Sequence, residues 1–281
     1  MIVDVDETTG ETRTWHYGLI ARWWSEFNQA EPEELAYYGA AIRRFGEPAL
    51  DLGCGTGRIL LPLAAEGLDV DGVDVSGDMI DRARTAATGR GLTPGLFIQA
   101  GHDLDLARRY RTIYLCGVFG IGGRRDRDRE TLHRAFGHLE PGGALIIWHE
   151  FPYADQGTDQ WALWLAGRRD GLPRDWRETG DRRRAADGDE IELITRLESF
   201  DPFEQRQDLE LRARLWRAGE VVREEVGRLS ENLYFGQEIL LLLEEAGFAE
   251  ISVEVAYTGQ PATPDDGTVV FIARKAKAGG A

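Results

Sequence analysis

Residues 49–58 read ALDLGCGTGR, and this stretch decides the fold. An apolar run that ends in Asp51 predicts a strand, and the alternating glycines predict a tight turn before a helix at Ile59–Ala65. Because Gly53 and Gly55 carry no side chain, a ligand can approach their backbone closely. The start of the helix directs free N–H groups and the positive end of its dipole towards the same place. The stretch therefore predicts a cofactor site at this turn.

The spacing of the glycines discriminates between cofactors. A dinucleotide fingerprint requires Gly-x-Gly-x-x-Gly, and its third glycine would fall on Arg58. The stretch LDVDGVDV at residues 68–75 predicts a second strand, and its acid Asp74 can accept hydrogen bonds from both hydroxyls of a ribose. A nucleoside without a pyrophosphate fits this pattern better than a dinucleotide does.

The ordered set of motifs resembles the class I S-adenosylmethionine-dependent methyltransferases. The resemblance rests on residues 51–57, on Asp74, on residues 76–79 and on the sequence LEPGG at residues 139–143. It covers the chain from about residue 17 to residue 275. It implies an α/β fold with a doubly wound, Rossmann-like sheet of seven strands, and S-adenosylmethionine as the cofactor.

The motifs and the predicted helices and strands divide the chain into segments. Residues 1–46 contain two predicted helices, which in the family form an N-terminal helical lid over the cofactor. Residues 47–150 and 232–275 form the Rossmann-like domain, and residues 276–281 are a tail. Between the two parts, residues 151–231 are predicted to be an inserted antiparallel β cap, because apolar and charged residues alternate there with a period of two. The alternating apolar residues are Leu209, Leu211, Ala213 and Leu215.

An insert at this position resembles the sugar N-methyltransferases and related small-molecule enzymes of bacterial secondary metabolism. In those enzymes the insert caps the acceptor and often supports dimerisation. The resemblance therefore implies a small-molecule acceptor and a homodimer formed through the antiparallel cap.

The resemblance also assigns cofactor contacts. Val75 and Met79 would sandwich the adenine, although Met79 can instead fill the core. The third strand ends in Gln99, and the family's usual acid is missing after it, so the Gly101 amide or the His102 side chain is expected to take its place. The predicted contacts are Tyr17, in the lid, and Asp51, Gly53, Gly55, Asp74, Val75, Met79, Gly101, His102 and Cys116, which ends the fourth strand.

His149 and Glu150 are the candidates for catalytic groups. Both are predicted to emerge just past the fifth strand, where an open parallel sheet places its ligands. Methyl transfer is a displacement that depends mainly on alignment and exclusion of water, so a general base is needed only for a hydroxyl acceptor. The alternative is that His149 only packs under the cap. No metal site is expected, because His133 and His138 are five residues apart and do not share a helix face.

Composition limits the partners and the compartment. The 281 residues include 33 Lys and Arg against 49 Asp and Glu, a net charge of −16. This charge repels a phosphate backbone, so nucleic acid is an unexpected substrate. Two cysteines are too few for a disulfide framework and indicate a reducing compartment. With no apolar segment of membrane-spanning length and no signal peptide, a soluble, cytoplasmic protein without a membrane partner is expected.

The predicted function is S-adenosylmethionine-dependent transfer of a methyl group to an amine or hydroxyl of a small molecule. Two other classes remain open. The first is a nicotinamide-dependent oxidoreductase, which would share the strand, the turn and the ribose acid. The second is a protein that binds S-adenosylmethionine without transferring methyl, as a cyclase or a regulatory module.

Overall fold

The computed structural model describes residues 16–154 and 159–277. These residues form two compact units. The first, the insert unit, contains residues 16–29, 121–123 and 159–233. The second, the sheet unit, contains residues 30–120, 124–154 and 234–277. The expectations for the first 15 residues and for the last four lie outside the described residues.

The described residues form six α-helices and eleven strands. The helices are α1 (Gly18–Phe27), α2 (Pro32–Phe45), α3 (Leu60–Ala65), α4 (Gly77–Gly89), α5 (Arg125–His138) and α6 (Gly236–Glu245). The strands are β1 (Ala49–Leu52), β2 (Val70–Asp74), β3 (Leu96–Ile98), β4 (Tyr110–Cys116), β5 (Leu139–Glu150), β6 (Asp181–Arg184), β7 (Glu190–Asp201), β8 (Arg206–Arg217), β9 (Glu220–Asn232), β10 (Glu250–Val255) and β11 (Thr268–Arg274). Two short 3₁₀ helices lie at Gly101–Asp103 and Asp159–Trp164.

The sheet unit is built on a seven-stranded sheet with the order β10-β11-β5-β4-β1-β2-β3. The pairings from β5 through β3 are all parallel, and β11 is antiparallel to both β5 and β10. The strand order reverses at β1: β2 and β3 lie on one side of it, and β4 and β5 lie on the other. This arrangement confirms the predicted doubly wound fold, and it makes the carboxyl ends of β1 and β4 the switch point at which such sheets bind ligands.

Both faces of this sheet are covered, because the buried strands are apolar on both sides. Alternate residues of β5 divide between two cores: Leu145 and Ile147 pack with α5 and α6, whereas Ile146 packs with α2, α3 and α4. The helix α4 begins as predicted, with the Ser76 hydroxyl accepting a hydrogen bond from the Met79 amide at 3.2 Å.

The fifth strand differs from the prediction. His149 and Glu150 were expected to follow the strand, but β5 contains both. His149 pairs with Val269 and Glu150 with Thr268 of the antiparallel neighbour β11. The pairing with β11 lengthens β5 beyond the end of its parallel neighbour β4, and a pairing of strands so distant in the chain leaves no local signal in the sequence.

The insert unit contains a four-stranded antiparallel sheet with the order β6-β7-β8-β9. It confirms the predicted antiparallel layer, and Leu211, Ala213 and Leu215 lie buried on one face. The helix α1 packs on this face through Leu19 and Ile20. The predicted lid therefore divides between the units, with α1 in the insert unit and α2 in the sheet unit. No helix among the described residues is long and apolar enough to cross a membrane.

Candidate functional site

The glycine-rich turn follows β1 and is fastened to β2. The amides of Gly53 and Cys54 both donate to the carbonyl oxygen of Val73, at 2.7 and 2.9 Å. Gly53 and Gly55 have φ values of 89° and 53°, which lie in the left-handed region that glycine enters without a steric cost. The turn therefore depends on glycine for its backbone as well as for the space above it.

The space around each glycine differs. A Cβ atom on Gly53 would lie 2.7 Å from the Val118 Cγ2 atom, and one on Gly57 would lie 2.8 Å from the Leu61 Cγ atom. On Gly55, nothing among the described residues lies within 4 Å of such an atom. Gly53 and Gly57 are thus packed against the protein itself, whereas Gly55 borders an open cradle that a ligand can enter.

Asp74 lies at the end of β2, directly beside this cradle. One carboxylate oxygen accepts the Gly55 amide and the other accepts the Ser76 amide, each at 2.8 Å. Burial raises the pKa of Asp74, and hydrogen bonds from the backbone amides of Ser76, Gly55 and Val75 oppose that rise. Each oxygen keeps a second lone pair, so Asp74 can hold the turn and still accept from a ribose hydroxyl.

The residues predicted to contact the adenine have different surroundings. Val75 is half exposed beside Asp74, whereas Met79 is fully buried in the first turn of α4. Burial agrees with the core alternative for Met79, and its contact with the adenine stays a prediction. After β3, the Gln99 amide donates to the Asp74 carbonyl at 3.0 Å. Gly101 and His102 follow two and three residues later in a short 3₁₀ helix.

Asp51 is buried within β1 and pairs in register with Tyr114 of β4. Burial raises the pKa of Asp51 to about 7, the Tyr114 hydroxyl and then Arg58 oppose this rise, and nearby Asp74 adds to it. A carboxyl group in this state ionises readily when a cation is placed beside it. Asp51 is therefore suited to bind an ammonium group at the switch point.

A polar network that the sequence did not reveal surrounds Arg58. Its guanidinium donates to both carboxylate oxygens of Glu34 in α2, at 2.5 and 3.0 Å. The Tyr257 hydroxyl also donates to Glu34, at 3.0 Å, and the Cys116 sulfur lies 3.3 Å from Arg58. Burial acts to raise the pKa of Glu34, but the hydrogen bonds from Arg58 and the Glu31 amide outweigh it, so the net shift is downward. The position of Arg58 directly after Gly57 was the one feature of the sequence that could have indicated this network.

Tyrosine rings extend this network towards β1. The centroids of Tyr38 and Tyr114 lie 4.8 Å apart, and Tyr257 lies 6.0 Å from Tyr38 and 5.8 Å from Tyr37. The Tyr114 hydroxyl faces Asp51 and the Tyr38 hydroxyl faces Cys116, whereas the Nε1 atom of Trp148 is buried and has no hydrogen-bond partner among the described residues. Buried polar atoms are nearly always paired in proteins, so the Trp148 Nε1 atom is a donor that a polar ligand can satisfy.

His149 lies on the other face of β5. Its Nε2 atom is 2.9 Å from the carbonyl oxygen of Tyr234, and its ring makes edge contacts with Phe151 and Phe271. Because a carbonyl only accepts, Nε2 carries the proton. Burial lowers the pKa of His149, and the hydrogen bond to Tyr234 opposes this effect. These contacts favour the packing alternative, and the catalytic role of His149 and of the exposed Glu150 stays a prediction.

The structure brings Asp51, Gly53, Gly55, Asp74 and Cys116 to one edge of the seven-stranded sheet. Tyr17 belongs to the insert unit, where it precedes α1, so its contact with a cofactor also stays a prediction. Among the described residues, no group of three or more His, Cys, Asp or Glu side chains is arranged to hold a metal ion.

Comparisons with known proteins match the part of the chain that carries the glycine-rich turn and Asp74. Residues 49–143, from the start of β1 into β5, match a family described as a methyltransferase domain. Residues 49–143 are therefore similar to a methyltransferase domain, and the resemblance found in the sequence is confirmed. These matches support S-adenosylmethionine as the cofactor.

Three known proteins illustrate how far the similarity of sequence and of structure extends. A putative methyltransferase of Geobacillus is 30% identical over 125 residues, which cover 44% of this chain and 48% of that protein. An S-adenosylmethionine-dependent methyltransferase of Clostridium acetobutylicum has a TM-score of 0.69 at 15% identity and covers 91% of this chain and 97% of its own. The sugar N-methyltransferase KedS8 of Streptoalloteichus has a TM-score of 0.68 at 18% identity and covers 99% of both chains.

The two structural likenesses establish the fold, because their sequence identities are low. The chain spans less than half the length of the curated relatives that it matches.

Proposed function

We propose that this protein transfers a methyl group from S-adenosylmethionine to an amine or hydroxyl group of a small molecule. The observation that carries the proposal is the open cradle at Gly55, with Asp74 on one side and the buried acid Asp51 at the neighbouring strand end. A cofactor with a ribose at one end and an ammonium group at the other fits the two acids.

Different residues of the site bind different parts of the donor. Asp74 accepts from the ribose, exposed Val75 contacts the adenine, and Gly101 and His102 lie towards the same end. Asp51 accepts from the ammonium group, and the Tyr114 hydroxyl beside it orients its carboxyl group. The bound donor supplies a methyl group on a positively charged sulfur, and the chain aligns the donor with the acceptor and excludes water.

The acceptor class follows from charge and from the insert. The net charge of −16 disfavours nucleic acid. Within the insert unit, a cavity of about 450 Å³ is lined by Ala162, Leu163, Leu165, Arg168, Gly171, Leu172 and Arg174. This volume suits a small molecule. We assign acceptor choice to the insert, and the likeness to a sugar N-methyltransferase makes an amino sugar the first acceptor to test.

We extend the proposal to the oligomeric state, the cellular compartment and the metabolic role of the protein. The strand β9 forms one edge of the four-stranded sheet, and residues 220–224 at its start are exposed. An unpaired edge of this length is available for a second copy of the chain, which would give the homodimer expected from the sequence. Both cysteines are free, in keeping with a role in the cytoplasm, and the sugar-modifying relative suggests secondary metabolism.

Incubation with methyl-labelled S-adenosylmethionine and a panel of amino sugars, other amines and phenols tests the function. We expect label on one class of acceptor, with one S-adenosylhomocysteine formed for each methyl transferred. Donor binding with no transfer to any member of the panel would favour a binding module. Absence of donor binding would overturn the proposal.

A further inference from the structure

Tyr257 has an unusual backbone for its residue type. Its φ is 61°, in the left-handed region that a bulky side chain rarely adopts. It lies two residues after β10, which runs in the same direction as β5 because both are antiparallel to β11. Tyr257 is therefore at the carboxyl edge of the sheet, the edge of the candidate site. Strain of this kind persists only where surrounding contacts offset it, and it concentrates at functional sites.

The contacts that hold Tyr257 all belong to the candidate site. Its hydroxyl donates to the Glu34 Oε1 atom at 3.0 Å and lies 3.6 Å from the Cys116 sulfur. Its ring makes edge contacts with Tyr37 and Tyr38. Burial raises the pKa of Tyr257 far above its ordinary value, and nearby Cys116 and Glu34 add to this. The hydroxyl is therefore protonated at neutral pH and acts as a donor to Glu34.

Glu34 connects three separate segments of the chain. It accepts from the Glu31 amide at the start of α2, from both terminal nitrogens of Arg58, and from Tyr257. Arg58 directly follows Gly57, the last glycine of the turn. The orientation of Glu34 therefore links the turn after β1 to α2 and to the segment after β10.

We propose that Tyr257 is a positioning residue for the methyl donor. Its hydroxyl fixes the carboxylate of Glu34, Glu34 fixes Arg58, and Arg58 holds the glycine-rich turn in the conformation that binds the donor. Tyr257 itself need not touch the donor for this effect. This inference rests on the proposed function, because it concerns the affinity of the same site.

The test compares Tyr257→Phe with Tyr37→Phe. Tyr37 is a matched control, because its ring contacts Tyr257 but its hydroxyl donates to Glu254, at 2.8 Å. Calorimetric titration with S-adenosylhomocysteine should show Kd raised about 10-fold or more in Tyr257→Phe, as expected when a charged acceptor loses a donor. Tyr37→Phe should leave Kd within about twofold, with similar melting temperatures in both variants. A purely structural role predicts a lower melting temperature with unchanged Kd, and that result would overturn the inference.

A double-mutant cycle with Glu34→Gln tests whether Tyr257 affects donor binding through Glu34. If Tyr257 acts through Glu34, the two substitutions together should raise Kd by clearly less than the product of the single effects. Independent, multiplicative effects would contradict the proposed route. Failure of the wild-type protein to bind S-adenosylhomocysteine would instead refute the proposed function, so the two failures are distinguishable.

Discussion

The two units use their polar side chains in different ways. In the insert sheet, charged residues pair across neighbouring strands: Arg184 with Glu190, and Arg214 with Glu224. In the sheet unit, polar side chains from strand ends converge, and Asp51 and Asp74 are buried with raised pKa values. Paired surface charges stabilise a sheet modestly, whereas buried groups with shifted pKa values mark sites that bind or react. The contrast supports the proposal that the sheet unit binds the donor and that the insert selects the acceptor.

The largest expected effect tests the cradle in the sheet unit. Gly55→Val should weaken S-adenosylhomocysteine binding by more than about 100-fold, because the side chain fills space that the donor needs. The left-handed φ of 53° adds strain of at least about 1–2 kcal/mol. Gly91→Val is the matched control, since Gly91 has φ of 68° and equally open surroundings at the end of α4. Calorimetry should show that the control loses similar stability but keeps its affinity, and equal affinities in the two variants would contradict the site.

The second prediction compares two buried acids of β2. Asp74→Asn should weaken donor binding about 10- to 100-fold, because a charged acceptor for the ribose and the Gly55 amide is lost. Asp71→Asn should lower stability without changing donor affinity, since Asp71 accepts from the Gly95 amide and the Tyr110 hydroxyl. Titration calorimetry and thermal melting of both variants provide the measurement. Unchanged affinity in Asp74→Asn would remove the ribose assignment.

The third prediction concerns the insert unit. Leu165 is exposed and lines the cavity of that unit, so Leu165→Asp should raise the KM for the acceptor about 10-fold and leave donor affinity unchanged. Phe203→Asp is the control, because Phe203 is 90% exposed in the turn between β7 and β8. Steady-state kinetics with the acceptor found by labelling supply the test. Impaired donor affinity with normal acceptor kinetics in Leu165→Asp would reverse the division of roles.

The fourth prediction uses the pKa of Asp51. The value is about 7 in the folded protein and 3.8 for an ordinary Asp, so the fold holds this proton more tightly. The contribution of Asp51 to stability is therefore full below about pH 4 and is lost as pH rises to about 7. Relative to wild type, Asp51→Asn should gain up to roughly 4 kcal/mol in free energy of unfolding over that range.

Unfolding of both proteins by denaturant at several pH values measures this difference. If the difference in free energy of unfolding between the two proteins does not change with pH, the pKa of Asp51 is not raised in the folded protein. Donor binding near pH 6 should also release a proton from Asp51, because the ammonium group favours its ionised form. Calorimetry in two buffers of different ionisation enthalpy detects that release.

The smallest expected effect is at His149. Its hydrogen bond to the Tyr234 carbonyl predicts that His149→Ala lowers the melting temperature while turnover stays within a few-fold of wild type. The general-base hypothesis requires a loss of roughly 100-fold with donor affinity unchanged. Single-turnover kinetics on the folded variant separate the two, and His149→Gln, which retains a donor for Tyr234, should restore stability.

The sequence predicted those parts of the fold whose signals are local. The glycine turn, the capping Ser76 and the alternation from Leu209 to Leu215 depend on neighbouring residues, and the structure contains all three. The extent of β5 was wrong because it depends on pairing with β11, more than a hundred residues away. In the site, contact between Tyr257 and Glu34 joins residues separated by 223 positions. No periodicity or motif records such a contact.

The affinities of the wild-type protein for a nucleoside and for a dinucleotide test the identity of the cofactor most directly. We predict that S-adenosylhomocysteine binds in a 1:1 ratio with micromolar affinity, measured by calorimetry, and that NAD shows no binding under the same conditions. The open cradle at Gly55 and the position of Arg58 where a dinucleotide site requires glycine are the reasons. Binding of NAD without binding of S-adenosylhomocysteine would contradict the central claim.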